Sequence, residues 1–243
     1  MLDPDLAKIW VYLATSPLLG LTMTLVAYSL AHRLYVYTNY HPALNPVVTA
    51  VGCLVLCLIV TDTSYAAYFE GGKFIHFLLG PATVALAVPL HQQFAKLRRI
   101  WLPVLIALIA GVTTGALTSV AIAQLFGASY LTQLSLAPKS VTAPVAMGIS
   151  EQIGGLPSLT AALVVTTGII GALGGTQLLS LLRINDDSIR GIAMGLTAHG
   201  IGTARAFQIS SEMGAFAGLA MALSALITAV MLPGLLRLIG LLV

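Results

Sequence analysis

The chain has 243 residues, of which 58% are hydrophobic and only 8% charged, with a formal net charge of +3. Its mean hydropathy is +0.97. A soluble domain of this size cannot hide so much apolar surface, because folded surfaces still need polar groups in quantity. The composition therefore excludes a soluble enzyme and points to a single integral membrane domain over residues 1–243. The 11 basic residues are scattered, and their densest cluster is Lys96, Arg98 and Arg99. That pattern reads as an orientation signal toward the cytoplasm and anionic headgroups, not as a nucleic-acid footprint.

In chain order, apolar runs at about 8–30, 46–61, 74–94, 100–126, 134–150, 157–182, 189–209 and 214–236 are long enough to be spans. The expected fold is an all-α polytopic membrane protein with about 7–8 transmembrane segments, some of them broken or re-entrant. Cys53 and Cys57, four apart, are expected as two buried thiols. The third segment carries Gly80-Pro81 in its middle and Pro89 near its end, the fifth carries Pro138 and Pro144, and the seventh carries His199 and Arg205 among glycines. Such interruptions are tolerated in a bilayer only where protein or a water-filled cavity receives the freed backbone groups, and they point to a midplane site. The breaks near 80, 142 and 200 are accordingly expected to converge. Small residues such as Gly111, Gly115, Gly168, Gly171, Gly174 and Gly175 suit close helix packing.

Leu79-Gly-Pro-Ala-Thr-Val84 echoes Leu136-Ala-Pro-Lys-Ser-Val141, and Leu102-Pro103 with Gly115-Ala-Leu117 echo Leu156-Pro157 with Gly171-Ala-Leu173, at offsets of 57, 54 and 56 residues. An inverted repeat and a chance match both stay open. Two topologies also stay open. If all eight segments cross, five basic residues oppose six and the positive-inside rule decides nothing. If the fifth segment enters and returns, Arg33, Lys96, Arg98, Arg99, Arg183, Arg190 and Arg237 share one side, which the rule prefers. The connectors at 95–99 and 183–190 would then face the cytoplasm together.

The candidate site is cationic and hydroxyl-rich. Arg205 offers a permanently charged planar fork suited to a carboxylate, or else a snorkelling anchor at a helix end. Lys139 is either a second cation or an interfacial anchor, and His199 either a substrate contact or a structural hydrogen-bonder. Thr83, Ser140, Thr142 and Thr203, at the breaks, either satisfy freed backbone groups or line a substrate path. Asp62, Glu70, Glu151, Asp186, Asp187 and Glu212 all fall at span ends or in connectors, so no carboxylate sits mid-helix to carry a cation. The ligand expected is a small organic anion, with no cofactor and no metal. Enzyme motifs such as His-Glu-x-x-His, Gly-x-Ser-x-Gly or a Walker loop do not occur.

Phe77-Leu-Leu-Gly-Pro-Ala-Thr-Val-Ala-Leu-Ala-Val-Pro-Leu90, Lys139-Ser-Val-Thr-Ala-Pro-Val-Ala-Met147 through Gly154-Gly-Leu-Pro-Ser-Leu-Thr160, and Ala198-His-Gly-Ile-Gly-Thr-Ala-Arg-Ala206 closely resemble the LrgB/CidB family of bacterial membrane proteins. The resemblance runs from about Asn45 to Pro233, and departs at His91, where a tyrosine is expected. It implies action beside a small LrgA/CidA-like membrane partner; the residues themselves point to a multi-pass protein of the bacterial inner membrane, and a homo-oligomer is expected. It also implies two activities: holin/antiholin-like modulation of murein hydrolase export and autolysis, or, through chloroplast relatives, transport of glycolate, glycerate or pyruvate. Broken polar segments suit a carrier of small 2-oxo or 2-hydroxy monocarboxylates better than a simple pore, so the carrier is the main expectation and the holin-like pore or scaffold the alternative.

Overall fold

The computed structural model describes residues 17–38, 40, 44–85 and 87–242. Among these the secondary structure is helical throughout, with no strand. The protein is an all-α polytopic membrane protein, and four helical stretches, Tyr65–Gln92, Phe94–Leu125, Pro157–Leu181 and Ser211–Leu238, are long and apolar enough to cross a bilayer. The chain packs as two compact units, divided after Ala85.

The first unit holds α1 (Pro17–Tyr37), α2 (Pro46–Val60) and α3 (Tyr65–Ala85). Asn45 caps α2 by accepting from the Val47 amide at 2.9 Å, with Pro46 at the start where no amide is needed. Gly20 lets α1 lie against the Tyr68 carbonyl of α3, and Thr24 meets the Tyr68 hydroxyl at 2.7 Å. The expected break at Gly80-Pro81 does not occur: α3 runs through it to Ala85. One proline removes a single backbone donor, and a transmembrane helix can absorb that loss. Cys53 is exposed and Cys57 half-buried, contrary to the expectation of two buried thiols. Both line an apolar cavity of about 350 Å³ between α1 and α2.

The second unit holds α4 (Ala87–Gln92), α5 (Phe94–Leu125), α6 (Tyr130–Leu136), α7 (Ala143–Gln152), α8 (Pro157–Leu181), α9 (Asp187–Ile209) and α10 (Ser211–Leu238). Its architecture follows from a few bonds. Lys96 at the start of α5 binds Glu212 at the start of α10 at 2.7 Å, and Asp186 before α9 at 3.1 Å. These starts share one face of the unit, called face A here. Ala116 and Val120 of α5 pack with Leu232 and Leu236 of α10, so these two helices run parallel to the opposite face B. Leu179 near the end of α8 packs with Met194 and Met213, so α8 runs back from B to A.

The two remaining segments return to the face they leave. Pro138 ends α6 and Pro144 opens α7, where a missing amide costs least. The Tyr130 hydroxyl donates to Leu241 O beyond the end of α10, at 2.7 Å, which puts the entry on face B. The Thr160 hydroxyl lies 2.9 Å from Ser135 O and 2.7 Å from the Ser150 hydroxyl, within hydrogen-bond reach of both, so the chain leaves and re-enters at the foot of α8. Residues 137–142 form the tip of this hairpin. Its apolar side, Leu134, Val141, Ala146 and Ile149, packs with Val164, Leu232 and Leu236.

In α9 the reversal takes a single residue, since His199 has φ 41° and ψ −130° inside an otherwise helical run. The Ser210 hydroxyl donates to Asp187 Oδ2 at 2.6 Å, and the Ser188 hydroxyl reaches Glu212 Oε1 at 3.1 Å. Both feet of α9 therefore stand on face A. This corrects the sequence reading in one respect. The seventh segment returns as well as the fifth, so Arg237, near the end of α10, lies on the face opposite Lys96.

The pair α5 with the α6–α7 hairpin and the pair α8 with the α9 hairpin thus repeat the same plan upside down. Glycines set the spacing. A methyl on Gly168 would stand 2.7 Å from His199 Cε1, one on Gly171 2.5 Å from Ala198 Cβ, and one on Gly175 2.6 Å from Met194 Sδ. Within lipid there is no hydrophobic drive between helices, so this close backbone approach is what holds α9 on α8. Gly174 faces open space, so its expected packing role is not observed.

Candidate functional site

The tips of the two hairpins meet. Ala137, Pro138, Lys139, Ser140 and Val141 from one, and Leu196 and Thr197 from the other, line a cavity of about 140 Å³. Its remaining walls are Gly111, Val112, Gly115 and Ala116 of α5, Thr167 of α8 and Thr228 of α10, all near the middle of their helices. The hairpin tips end near the middle of α5, α8 and α10, where a continuous helix would fill the space, and this leaves room for a cavity that carries a few polar groups on a mainly apolar wall.

Among the described residues Lys139 is the one charged residue on its wall, and no carboxylate lines it. The Lys139 ammonium donates to Ser140 Oγ at 3.3 Å. Among the described residues it makes no ion pair. An ammonium has three donors and no acceptor, so one bond to Ser140 leaves it able to bind an anion. Burial without a counter-ion makes an incoming negative charge worth more than it would be in water.

The other sequence candidates are distributed around this cavity. His199 is buried behind the tip, its Nε2 donating to Val164 O at 3.0 Å, and Thr203 donates back to His199 O at 2.8 Å. These two residues brace the reversal of α9. Thr142 stands at the N-terminal boundary of α7 without a side-chain capping bond and is half-buried, and it is not on the cavity wall. Arg205 sits on the returning half of α9, half-buried, and bonds Gln208 Oε1 at 3.1 Å, away from the cavity wall. Thr83 belongs to the first unit and its side chain lies outside the described residues. Structure thus brings Lys139 and Ser140 together and adds Thr167, Thr197 and Thr228. Sequence reasoning missed those three because a threonine in an apolar helix ordinarily spends its hydroxyl on the preceding turn. Only Thr197, inside the Gly-Leu-Thr-Ala-His motif, carried a signal. Among the described residues no three His, Cys, Asp or Glu side chains gather as for a metal.

At face A the electrostatics are tighter. The Asp186 carboxyl is held down to about 2, first by the Ser188 hydroxyl at 2.7 Å and the Ile189 amide at 3.1 Å, then by Lys96. Since Lys96 also binds Glu212, which accepts from Ser188, and Asp187 accepts from Ser210, the two feet of the α9 hairpin are tied to each other and, through Asp186 and Glu212, to the start of α5.

Fold and cavity together define a polytopic membrane protein built around two opposed re-entrant hairpins. The LrgB-like family profile matches residues 24–238, and the chain belongs to that family. It is 32% identical over 215 residues to the Holin-like protein CidB of Staphylococcus epidermidis, covering 88% of this chain and 93% of the relative. It is likewise 32% identical to the Holin-like protein CidB of Staphylococcus aureus, with 89% and 94% covered. The Bacillus subtilis protein YwbG is 33% identical over 224 residues, with 90% and 97% covered. No solved structure matches the chain.

Proposed function

We propose that this protein is a holin-like membrane protein whose two hairpins gate a binding site for a small organic anion. The single observation that carries the anion reading is the cavity where the hairpin tips meet, with Lys139 and hydroxyl-bearing residues on its wall and, among the described residues, no carboxylate. Hairpins entering from opposite faces suit a site that opens alternately to each side. A monocarboxylate with a 2-oxo or 2-hydroxy group fits the chemistry, since the ammonium takes the carboxylate and a hydroxyl takes the second oxygen. Lys139 and Ser140 are the proposed primary contacts. Arg205 is proposed as a contact on the path from face A, with His199, Thr203 and Thr142 in supporting positions.

The second reading is a pore or scaffold modulating murein hydrolase activity and autolysis. The relatives' names favour it over any particular carboxylate, because two of them are called holin-like. An LrgA/CidA-like membrane partner and a homo-oligomer belong to either reading. Lys96, Arg98, Arg99, Arg183 and Arg190 gather toward face A, and the positive-inside rule assigns that face to the cytoplasm of a bacterial inner membrane.

Flux into proteoliposomes tests the choice. Saturable uptake of a small hydroxy or oxo acid that Lys139→Ala abolishes supports the carrier, whereas leak of unrelated solutes without saturation overturns it in favour of the pore.

A further inference from the structure

Among the described residues, four with hydroxyls line the cavity: Ser140, Thr167, Thr197 and Thr228. Thr167 and Thr197 spend theirs within their own helices, donating to Leu163 O at 2.8 Å and Ala193 O at 2.7 Å. Ser140 Oγ is engaged by the Lys139 ammonium at 3.3 Å. Thr228 differs. It is only 4% exposed, yet among the described residues its hydroxyl has no hydrogen-bond partner. A helical threonine with no better offer bonds the carbonyl one turn back, and Thr228 does not. Nor is it among the sealed orphan atoms, which are Gln133 Oε1 and Arg190 Nε, so its hydroxyl is not sealed off, and Thr228 itself lines the cavity.

A buried hydroxyl with no partner in the protein is free to bond a ligand that enters the cavity. We infer that Thr228 of α10 is the specificity residue of the anion site, reading the second oxygen of a 2-hydroxy or 2-oxo acid whose carboxylate lies on Lys139. This rests on the anion reading above and adds a division of labour to it. Lys139 arrives on a hairpin tip and holds charge, whereas Thr228 belongs to the continuous helix α10 and reads the substituent. Discrimination then comes from the fixed wall, and a simple carboxylate leaves Thr228 unpaired, which a site built for a hydroxyl rejects.

Glycolate and acetate differ by one hydroxyl, so the ratio of their uptake reads this contact alone. Purified protein in liposomes should take up glycolate in preference to acetate. Thr228→Val, nearly isosteric but without the hydroxyl, should lower that preference at least about tenfold, the scale of one lost hydrogen bond to a buried group. Acetate uptake should hardly change. Thr228→Ser should keep the preference, which separates recognition from packing. Should Thr228→Val fail to insert, Thr228→Ala carries the same comparison. A variant without the hydroxyl that keeps the wild-type ratio overturns the inference while leaving the anion site standing. Wild-type protein that takes up neither acid overturns both, and equal uptake of both by the wild type overturns the assignment of Thr228.

Discussion

The return of α9 to face A is the feature on which the site depends, and it can be tested by distance. If residues 187–209 formed one continuous helix, Asp187 and Ser210 would stand about 35 Å apart at 1.5 Å per residue. In the structure the Ser210 hydroxyl and an Asp187 carboxylate oxygen are 2.6 Å apart. In a background with Cys53 and Cys57 replaced by alanine, Asp187→Cys with Ser210→Cys should close a disulfide or accept a short bifunctional thiol cross-linker. The assay is oxidation in the membrane followed by labelling with a maleimide large enough to retard the protein on a gel. Each single variant should label once, and the oxidised double variant should not label until reduced. Intermolecular bonds would appear as dimers on a non-reducing gel, so the two products are separable. A double variant that labels twice after oxidation would refute the hairpin. The α9 tip would then leave the cavity, and the anion reading would lose its geometry.

Two further outcomes follow from the packing and the charge network. Gly195 lies against the backbone of Ala217, which cannot move aside, so Gly195→Val should lower stability in detergent by about 1–3 kcal/mol. Gly174→Ala, with nothing within 4 Å of the added methyl, should be neutral or stabilising by about 0.5–1 kcal/mol; equal melting temperatures for the two would contradict the packing. Asp186 has a lowered folded-state pKa, about 2. Its contribution is therefore complete above the ordinary carboxylate range near 4 and is lost as pH falls through about 2. The thermal advantage of wild type over Asp186→Asn should be constant from pH 7 to about 5 and vanish near pH 2; an advantage that survives there would assign it to something other than the charge.

Much of this protein could be read from its residues alone. The bilayer follows from composition, because no arrangement of 58% hydrophobic residues exposes an ordinary soluble surface. The fifth segment's break could be placed because Pro138 and Pro144 cannot donate, and a covalent constraint survives any packing. Lys139 and Ser140 were found by standing inside that break. The same signal misled at Gly80-Pro81, since a single proline bends or is absorbed as its neighbours allow, and α3 absorbs it. Tertiary structure alone decided the rest. That α9 returns depends on one residue, His199, at φ 41°, a turn that leaves hydropathy and helical periodicity unchanged. It is held by contacts remote in sequence, to Val164 and Gly168 of α8 and between the feet at Asp187 and Ser210. Because it returns, Arg237 changes face and Arg205 leaves the cavity wall. Thr228 was equally illegible, for a hydroxyl in an apolar helix looks the same in sequence whether it bonds its own backbone or faces a cavity, and only the neighbouring helices determine which.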